Sequence, residues 1–550
     1  MELNQSLNKK FLLIDDFSNV RKSVKGMLNS LGVSHVSEAS NGTEATKSVR
    51  DQTFDVILCD YNLGKSKNGS QLLEEWRTRG WLSYQTVFVM ITAETSRDFV
   101  MGALEFQPDD YLAKPFAMDT LQNRLDRWLD RQSALGPINQ ALDRKDYPAL
   151  AKAAREVMET KPRYRGWAQR KYVEALFHQG QMTEAAHFLQ ALLDKRDLPW
   201  ARLERHRIDV QEGKLEAAER GLKTLIMLQP NMVEAYDLLA DVQMQIKQPE
   251  KAQETLSQAL VRSPRNIARQ RVFAGLASDN GDHVAATRAY KEIVSLADGT
   301  MHESSRGYKD VLRSTRTQLQ SLDDDALKRR LQKDAQSLLK KLIKQYPDEP
   351  DTELFSKAYR AYLADAGDAE STDRVFLESV AEAAREHMGD LGEDSALDIV
   401  DILYEKGLSK EADALVEELR QYHKESGNFV KRLNQLQAEP ITQEARRHAH
   451  KVNTEGIELY KHKDYQAATK LFEDALKFSP RHPGIILNFV QSSLLLMGQT
   501  RVSLSQLDRC LDIVNRLNYL PADHYQYERY TSIRDKVIAL HAKVKHEQPS

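Results

Sequence analysis

Cysteine is nearly absent from this chain: 550 residues contain two, Cys59 and Cys510. Two cysteines so far apart exclude a disulfide framework and a zinc site built on thiolates. Cys59 lies inside the apolar run Val56-Ile57-Leu58-Cys59 and reads as a small core residue. Long hydrophobic runs are missing too. No stretch approaches the roughly 20 apolar residues of a membrane span. The opening MELNQSLNKKFLLIDD lacks the apolar core and cleavage site of a secretory signal, so a cytoplasmic protein is expected. Charge of one sign is also scarce, the formal net charge being -3. That balance argues against a protein generally devoted to nucleic acid, which carries a basic domain or stripe. No GxxxxGK[ST] loop occurs, nor the signature of a cyclic-dinucleotide enzyme or a histidine kinase. What the chain does have is 41% apolar and 29% charged residues, enough for several folded domains with soluble surfaces.

The first 130 residues alternate short apolar runs with helical patterns. Phe11-Leu12-Leu13-Ile14 is the first run, and 33–39 a weaker second. Val56-Ile57-Leu58-Cys59, Val87-Phe88-Val89-Met90-Ile91 and Tyr111-Leu112-Ala113 follow. Such runs fit strands buried on both faces of a parallel sheet. Between the first two, Val20, Val24, Met27, Leu28 and Leu31 recur at helical spacing, with Ser18 as a candidate N-cap. The alternation predicts a doubly wound, five-stranded α/β domain. Ligands of such sheets bind beyond the carboxyl ends of the strands. Asp15 and Asp16 follow the first run, Asp60 the third, Thr92 the fourth and Lys114 the fifth. Three carboxylates at one sheet edge repel one another unless a divalent cation sits among them, and hard oxygen ligands suit Mg²⁺. A carboxylate beside that cation can be the nucleophile towards a phosphoryl group. An ammonium, a hydroxyl and the metal can neutralise the phosphoryl oxygens.

In this order and spacing, IDD, LCDYNL, MITAE and YLAKPF resemble the receiver domain of bacterial response regulators, over about residues 8–131. The resemblance implies that Asp60 is the phosphoacceptor. It implies that Asp16, Asp60 and the backbone carbonyl of Asn62 hold Mg²⁺ directly, with Asp15 acting largely through water. Thr92 and Lys114 would contact phosphoryl oxygens, Tyr111 would be the aromatic switch, and Asn62 and Glu94 would tune dephosphorylation. The loop after Asp60, YNLGKSKNG, departs from the family by lacking an early proline and by its longer path to the glycine.

Beyond Arg131, Gln132-Ser133-Ala134-Leu135-Gly136-Pro137 predicts an interdomain linker over 132–137. Strand signals then fade, and a period appears. Polar turn pairs begin at Lys145, Gly180, Gly213, Lys247 and Gly281. Five residues after the last four stand Ala185, Ala218, Ala252 and Ala286. Pro162, Pro230 and Pro264 close three of the units, where proline stops a helix. This resembles the 34-residue tetratricopeptide repeat, and predicts repeats over 138–300. NTEGIELYKHKDYQAATKLFEDALKFSP, with Gly456, Tyr460, Ala468, Ala475, Leu476 and Pro480, places another repeat and further helices in 441–550. YEKGLSKEADALVEEL, around Gly407 and Ala412, reads as a degenerate unit. Residues 301–440 are expected to be a helical linker with degenerate repeats, including a solvated helix in the charged stretch 300–345. His448 and His450 diverge on a helix and read as surface. The tail KVKHEQPS is expected to fray.

The expected whole is an α/β receiver followed by an all-α superhelical repeat array. It would be a response regulator that takes a phosphoryl group from a sensor histidine kinase and binds protein partners on its repeats. Beyond its own Asp60 chemistry no enzyme is expected, and neither a nucleic-acid nor a membrane partner. A homodimer is possible on this reading. The competing readings are a DNA-binding transcriptional regulator, a phosphorylation-independent scaffold with a silent receiver, and an enzyme within 300–440.

Overall fold

The computed structural model describes residues 8–64, 67–93, 108–322, 324–364, 370–438, 443–479, 481–499, 502–518, 520 and 526–547. It divides into two compact units, Met1–Gly307 and Tyr308–Ser550. Among the described residues no helix is long and apolar enough to cross a membrane.

The first unit opens with a five-stranded parallel sheet: β1 (Lys10–Ile14), β2 (His35–Ala39), β3 (Val56–Asp60), β4 (Val87–Thr92) and β5 (Asp110–Ala113), in the order β2-β1-β3-β4-β5. Helices α1 (Ser18–Ser30), α2 (Gly42–Asp51) and α3 (Gly69–Thr78) connect them. The alternation of each apolar run divides its side chains between two cores. Phe11, Leu13, Val56, Leu58, Val89 and Ile91 pack with Val24 and Leu28 of α1 on one face. Leu12, Ile14, Ile57, Cys59, Phe88 and Met90 pack with Ala45 of α2 and Leu72 and Trp76 of α3 on the other. Burial on both faces is why these strands read as continuous apolar runs. The Asn41 side chain caps α2, and Asn68 with Gln71 forms a capping box that starts α3. The segment 94–107, between β4 and β5, lies outside the described residues.

The linker expected at 132–137 is not a break. Helix α4 runs from Met118 to Arg144 through Gly136 and Pro137. Its first half puts Leu121, Leu125 and Trp128 into the sheet's core, and its second half puts Leu135, Ile138 and Ala141 into the first repeat's core. One apolar stripe therefore continues across the Gly-Pro pair, and burial on both sides holds the helix together there. Side chains reinforce the junction: Asp143 accepts from Ser83 Oγ at 2.6 Å and from the Tyr84 amide at 2.7 Å.

The repeats follow as antiparallel helix pairs: α5 (Tyr147–Thr160), α6 (Arg165–His178), α7 (Met182–Leu193), α8 (Pro199–Gln211), α9 (Leu215–Leu228), α10 (Val233–Gln245), α11 (Pro249–Arg262), α12 (Ile267–Asp279) and α13 (His283–Ala297). Each predicted turn holds one residue in the left-handed region: Lys145 at φ 53°, Gly180 at 70°, Gly213 at 74°, Lys247 at 59° and Gly281 at 79°. Ala185, Ala218, Ala252 and Ala286 are all 0% exposed. A larger side chain at these positions would push the paired helices apart.

The second unit corrects the reading of 301–440. The charged stretch forms two helices, Ser305–Ser321 and Asp325–Gln345, rather than one solvated rod. Leu331, Ala335, Leu339 and Leu342 bury a helical face at three- to four-residue spacing. Cationic side chains of the first helix are buried or half-buried in ion pairs. Lys309 meets Asp351, Arg313 meets Asp398, and Arg316 meets Asp401 at 2.6 Å and Glu405 at 2.8 Å. The degenerate unit turns at Gly407 (φ 79°), five residues before the fully buried Ala412. In the C-terminal repeat the turn is Lys463, at φ 64°. A Cβ on Gly456 would stand 2.7 Å from the Phe472 ring, so glycine is needed there for close helix approach. Tyr460 packs against the core of this repeat. Pro480 and the His448 and His450 side chains lie outside the described residues. The expected frayed tail is instead part of a final helix reaching Glu547, with Val544 buried.

Candidate functional site

Strand polarity gathers the site. In a parallel sheet all strands end at one edge, so residues following β1, β3, β4 and β5 converge there. Asp15 and Asp16 follow β1. Asp60 and Thr92 are the last residues of β3 and β4, and Lys114 comes one residue after β5. Carboxylate oxygens of Asp15, Asp16 and Asp60 all lie within 4.8 Å of one another. The Lys114 ammonium donates to Asp15 Oδ2 at 2.6 Å and to Asp60 Oδ2 at 2.9 Å. Asp15, Asp60 and Thr92 are 1%, 7% and 6% exposed, so this charge is concentrated where water is scarce.

The backbone holds these groups in place. The Lys114 amide donates to the Thr92 carbonyl at 2.8 Å, tying the fifth strand's end to the fourth. The Lys114–Pro115 peptide is cis. Asp15 accepts the Phe17 amide on its second carboxylate oxygen at 2.9 Å. Asn62 donates its amide to the Asp60 carboxylate and uses its own side-chain oxygen to accept from the Gly64 amide at 3.1 Å. Immediately beyond, α3 starts against the end of β3. A Cβ on Gly69 would come within 2.7 Å of both the Asp60 carbonyl oxygen and Met90 Sδ.

Burial raises the Asp60 carboxyl above its ordinary value, although the Lys114 ammonium opposes the shift and Asp15 adds to it. Burial by itself would make Lys114 more acidic. Its bonds to Asp15 and Asp60 outweigh that, and its pKa is raised. Asp16 Oδ1 is buried without a hydrogen-bond partner among the described residues. A buried carboxylate oxygen with no donor is what a cation ligand looks like before the cation is added, and the donor set of three carboxylates is the hard, oxygen-only type. The residues therefore fit a divalent ion such as Mg²⁺.

Tyr111, placed in β5, is half-buried, and its hydroxyl has no hydrogen-bond partner among the described residues. Burial raises its pKa well above the ordinary tyrosine range. Glu94 lies outside the described residues, as do Lys65 and Ser66 of the unusual loop. Sequence reasoning missed Tyr61. Its amide donates to the Ile91 carbonyl at 2.9 Å, its carbonyl accepts the Gly69 amide at 2.8 Å, and its hydroxyl accepts from Arg265 at 3.0 Å. Its position directly after Asp60 was the available signal.

A family model for the response regulator receiver domain matches residues 11–126, and one for the tetratricopeptide repeat matches residues 209–274. The chain is 34% identical over 131 residues to chemotaxis protein CheY-3 of Vibrio cholerae, covering 24% of this chain and 99% of that protein. It is 32% identical over 122 residues to chemotaxis protein CheY of Pseudomonas aeruginosa, covering 22% of this chain and 97% of that protein. Among solved structures it matches the receiver domain of a Pseudomonas aeruginosa sensor histidine kinase, described with a magnesium ion coordinated in its active-site cleft. That match has 29% identity and a TM-score of 0.21, covering 22% of this chain and 98% of the other.

Proposed function

Because the chain belongs to the response regulator receiver family through its N-terminal residues, we propose that Asp60 accepts a phosphoryl group from a sensor histidine kinase and that its phosphorylation state governs which proteins the repeats bind. The observation that carries this reading is the cluster of Asp15, Asp16, Asp60 and Lys114 at one sheet edge, with Thr92 buried beside it. In the transfer, an Asp60 carboxylate oxygen forms the new bond to phosphorus as the donor's P–N bond breaks, and the electron pair leaves with the donor histidine nitrogen. Acetyl phosphate would react likewise through its P–O bond, releasing acetate.

Asp15, Asp16 and Asp60, with the Asn62 carbonyl, would hold Mg²⁺. The bound ion supplies positive charge that offsets the phosphoryl oxygens. Lys114 moves from pairing two carboxylates to pairing one carboxylate and the phosphoryl group. Thr92 offers its hydroxyl to a second phosphoryl oxygen, and Tyr111, whose hydroxyl has no hydrogen-bond partner among the described residues, follows Thr92. Asn62 and Glu94 set how readily water reaches the acyl phosphate. On this reading the chain's own chemistry is the gain and loss of the phosphoryl group on Asp60.

The test is direct. Purified protein is incubated with Mg²⁺ and acetyl phosphate and followed by intact mass beside Asp60→Asn. A Mg²⁺-dependent adduct absent from the variant is expected. No adduct in either protein would leave the repeats as a constitutive scaffold. Equal partner binding by phosphorylated and unphosphorylated protein would refute the regulatory half, because a modification with no differential interaction shifts no equilibrium.

A further inference from the structure

In the second unit, helix Asp325–Gln345 holds seven cations and two carboxylates. Six of the cations are exposed: Arg329, Arg330, Lys333, Lys340, Lys341 and Lys344. At about 100° per residue they fall within about 120° of the helix circumference, opposite the stripe of Leu331, Ala335, Leu339 and Leu342 that the helix buries. They form two triads of the same spacing, about 16 Å apart along the axis. None of the six makes a hydrogen bond or an ion pair among the described residues. Arg329 repels Lys333 and Lys340 repels Lys344, four residues on in each case. Elsewhere in this chain that spacing holds opposite charges, as in Glu219–Lys223, Glu353–Lys357 and Arg374–Glu378. A like-charged stripe destabilises its own helix, and a carboxylate-bearing surface laid on it offsets the repulsion. A stripe of the opposite sign stands in the same unit. Helix Glu370–Glu386 buries Leu377, Val380, Ala381 and Ala384. On its other side Glu382 and Glu386 are exposed, four residues apart and without an ion pair among the described residues, in line with Val375, which is 65% exposed. Both helices pack on the one between them, Pro350–Tyr362. One three-helix block therefore carries an unmatched basic stripe and an unmatched acidic one.

We infer that the two stripes are the interface of a homodimer, in which helix Asp325–Gln345 of each copy lies against helix Glu370–Glu386 of the other. A two-fold axis makes the two contacts identical and closes the assembly. The surroundings favour a second copy over other anionic partners. Residues 346–440 carry 23 carboxylates against ten cations. A bilayer or a nucleic-acid duplex spread over the basic stripe would be repelled by that excess, and it would leave the acidic stripe without a role. A second copy uses both stripes at once. Charge supplies most of each contact, with Val375 as its apolar part. Such an interface gives a fast, reversible and salt-sensitive association rather than a permanent one. It requires no phosphoryl group on Asp60.

The experiment is sedimentation velocity of the full chain over a range of concentrations, with no phosphoryl donor present. The parent is expected to be a reversible dimer. Its Kd should rise at least about tenfold between about 0.1 M and about 1 M salt, as the screening length falls from roughly 10 to 3 Å. One variant reverses the basic stripe, with Arg330→Glu, Lys333→Glu, Lys341→Glu and Lys344→Glu together. Another reverses the acidic stripe, with Glu382→Lys and Glu386→Lys. Each alone is expected to be monomeric. Mixed in equal amounts they should dimerise again, because each reversed stripe then faces a reversed partner. A misfolded variant would not be rescued in this way, and circular dichroism checks the fold of each. A parent that is monomeric at every concentration overturns the proposal. So does a dimer that salt and both variants leave intact, which places the interface elsewhere. Variants that are each monomeric and do not re-pair on mixing overturn the pairing of these two stripes. A monomeric parent that binds a short DNA duplex, and loses that binding when the basic stripe is reversed, overturns the second copy as occupant and assigns the stripe to nucleic acid.

Discussion

Replacing Lys114 with methionine tests the electrostatic account of the acidic cluster. At an effective dielectric of about 20, a carboxylate pair within 4.8 Å repels by at least roughly 3 kcal/mol, and each ammonium–carboxylate contact of Lys114, at 2.6 and 2.9 Å, attracts by about 6 kcal/mol. The two contacts made by Lys114 are thus comparable to the three mutual repulsions of Asp15, Asp16 and Asp60. Methionine keeps the stem and removes the charge. Water entry and proton uptake absorb part of the imbalance, and the net destabilisation expected at pH 8 without metal is about 3 kcal/mol, the range for breaking a buried pair from one side. The pH dependence has a definite sign. Asp60 has a raised folded pKa, so its protonated form favours folding, and that contribution is lost as pH rises through the folded value. Without Lys114 the carboxyl rises further, so the variant regains stability on acidification more than the parent does. Mg²⁺ should rescue the variant, and should stabilise it more than the parent, since the metal no longer competes with the ammonium for Asp15 and Asp60. Hydrogen exchange of peptides from β1 and β3, in full-length protein with and without Mg²⁺, measures this locally. Equal protection of the two proteins at pH 8 without metal, or equal stabilisation by Mg²⁺, would refute the reasoning.

Other expectations follow from the repeats and the second unit. Lys247→Gly removes a side chain from a left-handed turn, φ 59°, and should stabilise the α10–α11 pair by about 1 kcal/mol in urea-dependent exchange. Gly456→Ala forces a methyl against Phe472 and should cost about 1–3 kcal/mol, seen as faster exchange in both helices of that repeat. Burial holds the Asp398 carboxyl up at about 6, against the opposing pull of Arg313. Its contribution to stability is therefore lost as pH rises through about 6. Protection of Glu393–Glu405 in the parent should fall over that window relative to Asp398→Asn, whose profile should be flatter.

What could be read from the sequence was what local pattern dictates. The apolar runs announced the strands, because each strand is buried on both faces and carries no polar alternation. The five chemical positions were legible because parallel strands end together, so residues far apart in sequence had to meet. The repeat turns were legible because a left-handed residue recurs at a fixed period. Three features were hidden for physical reasons. Pro137 reads as a helix stop by local rules, but tertiary burial of Leu135 and Ile138 carries the helix through it. Lys309, Arg313 and Arg316 read as a solvated face, since a charged residue shows its burial only through partners 40 to 90 positions away. The Tyr61–Arg265 contact joins residues 204 positions apart, and no periodicity encodes such a pairing.

Helix α4 has a consequence for how this protein can be rebuilt. The receiver is not a bead on a string. It is keyed to the repeats by helical phase, since Trp128 and Leu135 lie on one rod and serve two cores. Inserting a single residue near Gly136 would turn everything downstream by about 100° and advance it about 1.5 Å. Inserting seven would nearly restore the phase while lengthening the rod by about 10 Å. A receiver borrowed from a relative would therefore have to be joined in register, like meshed gears, and length alone would not make the graft work.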